Sequence, residues 1–249
     1  MSQSGTGPSQ KPDPWEAHAK WWQDQFTDGV DPEYTEQILP LIAEHLPRSG
    51  ALLDIGCGEG QVARMAVDLG LDAIGVDPAF TQVAVGVERG GGPLYMQGSA
   101  TDLGVADASV DAAVACLVFE HIPDLDAALN EVARVLKPGG RFLFLLNHPL
   151  LQTPGSGWID DQILDPPELY WRVGAYLEEA DTVEEVEQGV FIRFYHRPLG
   201  RYLNSAFDRG LVLERMVEPE PPAGFLARAE EYSEAKSIPR LLFLSLAKR

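Results

Sequence analysis

A doubly wound α/β fold is what this sequence predicts, and two observations carry the prediction. Between Ala51 and Asn147, short apolar runs alternate with stretches of helical length and spacing, the pattern of βαβ units on a parallel sheet. The runs are rich in Val, Ile, Leu and Phe and are bounded by Gly, Asp and Pro, as strands buried on both faces are.

Taken in order, Trp15 to Phe26 reads as a helix bearing Trp15, Trp21, Trp22 and Phe26, and Pro32 to Leu46 as a second. The strands follow as Ala51 to Ile55, Ala73 to Val76, Pro93 to Gln97, Ala112 to Leu117 and Arg141 to Leu146. Crossover helices fall at Gln61 to Leu69, Phe80 to Val87 and Leu125 to Leu136, the last stopped by Lys137-Pro138-Gly139-Gly140. Leu150 to His196 breaks this rhythm with Pro154, Pro166 and Pro167. A hairpin is expected there, Ala175 to Asp181 pairing with Val190 to Tyr195 around the acidic segment Glu184 to Gly189. The segment 150–196 is read as an insertion after the fifth strand that caps a site. A helix from Pro198 to about Asp208 and strands at Leu211 to Glu218 and Leu241 to Ala247 complete a seven-stranded, mostly parallel sheet.

Met1 to Pro14, rich in Ser, Gly, Gln and Pro, reads as a flexible tail, leaving 15–249 as one domain. The chain has 249 residues, with 19 Lys+Arg against 38 Asp+Glu and a net charge of −19. That charge repels nucleic-acid phosphates and anionic lipid, and no run of Lys/Arg offsets it. No apolar stretch approaches the 18 or so residues that span a bilayer, and no signal peptide is evident. Cys57 and Cys116 lack metal-ligand spacing, so a reducing cytoplasm is expected. The expected partner is a small-molecule substrate, with no nucleic acid, membrane or metal, and the chain is expected as a monomer or homodimer.

Leu52 to Gly60 runs from an apolar strand into a glycine-rich turn and then a helix, where backbone approaches a ligand closely. Its spacing is D-x-G-x-G-x-G; a dinucleotide fingerprint needs its third glycine at position 61, where Gln61 stands. Carboxylates at Asp54 and Glu59 repel a pyrophosphate but suit an ammonium and a sulfonium, which describes S-adenosylmethionine. Asp77, closing the second strand before Pro78, is placed to accept both hydroxyls of a ribose.

These residues recur in register with Gly98-Ser99-Ala100-Thr101-Asp102-Leu103, Ser109-Val110-Asp111 and Val135-Leu136-Lys137-Pro138-Gly139-Gly140. The sequence thereby resembles the class I S-adenosylmethionine-dependent methyltransferases, in the group acting on small molecules, over roughly Pro32 to Pro149. The resemblance implies a Rossmann-like methyltransferase fold with S-adenosylmethionine as cofactor. It implies that Asp54, Gly56, Cys57 and Gly58 line the methionine part, Asp77 and Pro78 the ribose side, Ser99 and Ala100 the adenine, and Cys116 and Leu117 the amino group. Ser99 departs from the pattern, since many relatives carry Asp there.

Methyl transfer demands alignment, and a base only if the nucleophile arrives protonated. Three histidines are candidates. His121 follows the fourth strand, His148 follows the fifth and is favoured as the base, and His196 ends the insertion. The acceptor is expected to be small and partly apolar or aromatic, because Trp158, Tyr170, Trp171, Tyr176, Phe191, Phe194 and Tyr195 crowd the insertion. Two other functions compete: a non-catalytic S-adenosylmethionine-binding partner subunit, and a nicotinamide-dependent oxidoreductase, disfavoured by the glycine spacing and the lack of a Tyr-x-x-x-Lys pair.

Overall fold

The computed structural model describes residues 14–228 and 236–249. The expected tail thus lies almost wholly outside the described residues. Helix α1 spans Pro14–Phe26; a π-helical turn, Tyr34–Ile38, then leads into α2, Leu39–His45. The alternating region gives β1 Ala51–Ile55, α3 Gln61–Asp68, β2 Asp72–Asp77, α4 Phe80–Arg89, β3 Leu94–Gln97, β4 Val110–Cys116, a 3-10 turn Phe119–His121, α5 Leu125–Val135 and β5 Leu136–Asn147. Downstream lie β6 Gly157–Asp161, β7 Glu168–Arg172, β8 Ala180–Glu187, β9 Val190–His196, α6 Leu199–Phe207, β10 Leu211–Val217, α7 Ala223–Leu226 and β11 Leu241–Lys248.

Seven strands form one sheet in the order β10-β11-β5-β4-β1-β2-β3. Only β11 is antiparallel to its neighbours, pairing with β5 from Leu241↔Asn147 to Ala247↔Arg141 and with β10 on its other side. The strand order reverses at β1, which lies between β2 and β4. In a doubly wound sheet, that reversal opens a crevice at the carboxyl ends of the strands.

Adjacent residues on the central strands feed opposite cores. Leu53, Ile55, Phe142 and Phe144 pack with Leu129 and Val132 of α5 and Tyr202 of α6. Leu52, Leu143, Leu145 and Phe243 pack on the other face with Ile42 of α2 and Val62 and Ala66 of α3. Burial on both faces is what makes these strands continuous apolar runs.

The insertion departs from expectation in two respects. Its acidic stretch is not a loop: Glu184, Glu185 and Glu187 lie within β8, which pairs with β9 across a two-residue turn in which Gly189 takes φ +82°. Glu185 and Glu187 are exposed and Glu184 is half-buried, so the hairpin keeps its acids without taking any of them fully out of water. The prolines upstream interrupt the chain less than their number suggests, since β6 and β7 form a further antiparallel hairpin with Trp158 opposite Trp171. No helix among the described residues is long and apolar enough to cross a membrane.

Candidate active site

The crevice predicted by the strand order exists as a cavity of about 570 Å³. The turn after β1 forms its floor. Gly56 adopts φ +68°, and a Cβ there would stand 2.5 Å from a Val118 methyl; Gly58 adopts φ +54°, with the nearest side-chain atom to such a Cβ, Trp22 Nε1, 3.7 Å away. Glycine is therefore required at 56 by conformation and packing together, and at 58 by conformation alone.

The amides of this turn are directed inward. Gly56 N and Cys57 N both donate to Val76 O, at 2.7 and 3.0 Å, and Gly60 N donates to Cys57 O. Gly58 N donates to Asp77 Oδ2 at 2.9 Å, while Ala79 N donates to Asp77 Oδ1 at 2.9 Å. Two backbone donors thus fix the Asp77 carboxylate beside the glycine turn. Asp54 is 2% exposed and accepts one bond, from Ala63 N in the first turn of α3. Burial pushes its carboxyl up to about 7, with the carboxylates of Asp77 and Glu59 adding to the rise. Glu59, also buried, is paired with Arg64 and Arg89.

All ten residues expected to hold the cofactor, Asp54, Gly56, Cys57, Gly58, Asp77, Pro78, Ser99, Ala100, Cys116 and Leu117, line this one cavity. Ser99 directs its hydroxyl at Thr101, 2.9 Å away, within a tight turn. Leu117 has φ +57°, a left-handed conformation costing a branched side chain of order 1–3 kcal/mol and typical of ligand-lining turns. Burial pushes both thiols up, Cys57 and Cys116 alike, so neither is a nucleophilic thiolate at neutral pH.

Only one of the three histidines lines the cavity. His121 does, and its Nδ1 lies 2.8 Å from Arg193 O in β9. A carbonyl only accepts, so Nδ1 carries the proton and the lone pair of the neutral ring sits on Nε2. His148, the favoured base, is placed elsewhere. Its Nδ1 accepts from Leu150 N at 3.1 Å, so Nε2–H donates to Glu218 at 2.9 Å, and its own amide is tied to Arg240 O. The chain leaving β5 is bound against the residue before β11 and not against the loop after β4. His196 is 2% exposed, donates from Nε2 to Tyr176 O, and borders a separate small void beside Glu120.

The cover of the cavity likewise differs from expectation. None of residues 150–196 lines it; α1 does, through Trp15 and Trp22. Glu16 bonds Thr81, Gln23 bonds Gln82, and Gln61 bonds Phe26 O, holding α1 across the crevice. The end of the insertion and the residue that follows it act from behind. Phe194 packs 4.7 Å from the His121 ring, and Arg197, 4% exposed, donates to the carbonyls of Phe119, Ile122 and Pro123. Its tryptophans pack on each other, Trp158 to Trp171 at 5.1 Å. Tyr34 is a lining residue without a sequence signal, brought in by the π-helical turn. Trp15 and Trp22 did carry one, since positions seven apart share a helix face.

Residues 53–144 match the family model of a methyltransferase domain. A ubiquinone/menaquinone biosynthesis C-methyltransferase from Rubrivivax gelatinosus is 41% identical over 101 residues, covering 40% of each chain. An O-methyltransferase from Aspergillus sclerotiorum is 31% identical over 133 residues, half of each. The chain therefore spans half or less of the length of these curated relatives. A solved S-adenosylmethionine-dependent methyltransferase from Mesorhizobium loti superposes with a TM-score of 0.73 at 25% identity, over 87% of this chain and 98% of that one. Residues 53–144 thus carry a methyltransferase domain, and the seven-stranded sheet is that of the solved S-adenosylmethionine-dependent methyltransferase.

Proposed function

We propose that the chain transfers a methyl group from S-adenosylmethionine to an oxygen, nitrogen or carbon atom of a small, partly apolar or aromatic molecule. The observation that carries the reading is the inward commitment of the glycine-turn amides above two acids. A turn built for a pyrophosphate presents free N–H groups; here those of Gly56, Cys57, Gly58 and Gly60 are engaged within the protein, and Asp54 and Asp77 flank them. That donor set fits a ligand with positive charge at one end and a ribose diol in the middle.

When bound, S-adenosylmethionine supplies an electrophilic methyl on a positively charged sulfur. The chain's own residues then have distinct tasks. Asp77, already braced, accepts from the diol; Asp54 offers negative charge to the cationic end. Ser99 and Ala100 border the base, and Cys116 and Leu117 the amino group. His121 Nε2 takes the proton of a hydroxyl or N–H acceptor, its tautomer set by the Arg193 carbonyl. A cytoplasmic setting belongs to the same reading, supported by Cys57 and Cys116 standing as free thiols.

Titration calorimetry with S-adenosylhomocysteine and with NAD is the test. Saturable binding of the first and none of the second is expected; NAD binding alone would move the chain to the oxidoreductases.

A further inference from the structure

The wall of the cavity that α1 and the turn after β4 form restricts the acceptor more narrowly than the fold does. Trp15 and Trp22 meet edge to face, with centroids 5.8 Å apart and planes at 89°. The His121 ring stands 4.8 Å from Trp15 at 77°. Ile122 and the left-handed Leu117 complete an apolar slot beside His121. Aromatic rings at right angles present both a face and an edge to a planar guest.

Charge is the second observation. Among the described residues, no Lys or Arg lines the cavity. The arginines nearby are engaged: Arg64 and Arg89 by Glu59, Arg193 by Asp181, Arg201 by Asp126. Arg197 is turned onto three backbone carbonyls. Lys11 is the only basic residue outside the described ones. An acceptor phosphate or carboxylate would therefore find no Lys or Arg of the described residues to pair with in the cavity.

The carboxylates are committed as well. Glu59 is neutralised by its two arginines, and Asp124 caps α5 by accepting from Ala127 N at 2.9 Å. Asp54 and Asp77 face the glycine turn. A cationic acceptor would meet no spare negative charge either, and desolvating an unpaired ion of either sign is costly.

Resting on the methyltransferase reading above, we infer that the acceptor is uncharged and planar, its ring seated against Trp15 and its exchangeable proton directed at His121 Nε2. Neutral phenols and neutral heteroaromatic N–H compounds are the class; carboxylates, phosphate esters and alkylammonium compounds are outside it.

Three probes sharing one ring system test this: 2-naphthol, 2-naphthoate and 2-naphthylmethylammonium. Each is titrated calorimetrically at neutral pH into protein saturated with S-adenosylhomocysteine. Saturable binding of 2-naphthol is expected, with both ions weaker by about tenfold or more. Trp15→Ala should weaken 2-naphthol by a similar factor and leave S-adenosylhomocysteine affinity within about twofold. Trp21→Ala should change neither, because Trp21 faces Glu187 outside the cavity. Binding of either ion as tight as 2-naphthol overturns the inference, as does no saturable 2-naphthol binding up to its solubility limit. Loss of S-adenosylhomocysteine affinity in Trp15→Ala overturns it too, by making Trp15 a cofactor wall. Failure of the parent to bind S-adenosylhomocysteine at all is a different result, which brings down the methyltransferase reading itself.

Discussion

Replacing Asp54 by Asn should make the protein more stable and less functional, with both effects governed by pH. In the folded chain, burial raises the Asp54 carboxyl from 3.8 to about 7. Because the folded pKa is the higher one, the folded state holds this proton more tightly. Stability from the site is therefore complete below about pH 4, falls as pH rises from there to about 7, and then stays low. At 1.36 kcal/mol per pH unit, the full span is about 4 kcal/mol as an upper bound, and the part lost between pH 5 and pH 8 is about 2–3 kcal/mol. Asn cannot ionise, yet its carbonyl oxygen can still accept from Ala63 N. The assay is urea unfolding of parent and variant at pH 5 and pH 8. The stability of Asp54→Asn relative to the parent should grow by about 2–3 kcal/mol between the two. Calorimetry with S-adenosylmethionine gives the opposite sign: parental affinity should rise through pH 7 as the carboxylate forms, whereas the variant stays weak and pH-insensitive. An unchanged stability difference at the two pH values would refute the reasoning, since it would mean Asp54 is ionised throughout.

Three other outcomes follow from the geometry. Asp77→Asn should lower S-adenosylhomocysteine affinity by at least about tenfold, charged hydrogen bonds being worth about 1.5–3 kcal/mol each; calorimetry showing parental affinity would remove Asp77 from the site. Gly56→Ala must hold φ +68° and displace Val118, so urea unfolding should show a loss above the roughly 1–2 kcal/mol of the backbone conformation alone. Adding Val118→Ala should restore only the steric part. With an accepted substrate, kcat against pH should drop about 10²–10⁴-fold for His121→Ala, while His148→Ala and His196→Ala should lower the melting temperature and leave the pH profile unmoved.

The elements most legible in the sequence are those whose burial is two-sided. β1, β2, β4 and β5 were readable as apolar runs because helices cover both faces, and their short length and flanking Gly, Asp and Pro separate them from buried helices. That Asp54, Gly56, Gly58 and Asp77 line one cavity was readable because chemistry and backbone conformation restrict them together. β6 and β7 were hidden: their residues are half-buried or exposed, so no core imposes a period on them. β8 was misplaced by its acids, which mimic a loop although an exposed hairpin face accepts glutamate freely. Histidine placement failed for another reason. Being next to a strand end fixes where a backbone emerges, but the direction of the His148 ring is decided by Leu150 N and Glu218, the latter 70 residues further on.

The position of β11 governs how the molecule must be made. This strand enters the sheet between β5 and β10, its first seven residues buried, although every other strand precedes it in the chain. Until it arrives, β5 offers a row of unpaired peptide groups along one side, next to the Phe142, Leu143, Phe144 and Leu145 run. Such a border recruits extended segments from other molecules. A growing polypeptide therefore holds an open, adhesive flank from the time β5 emerges until β11 follows it, and closing that flank depends on the most distant pairing in the sheet. Removing Leu241–Lys248 should therefore leave β5 as an open edge and make the truncated chain aggregate where the full chain does not, a difference that light scattering would show.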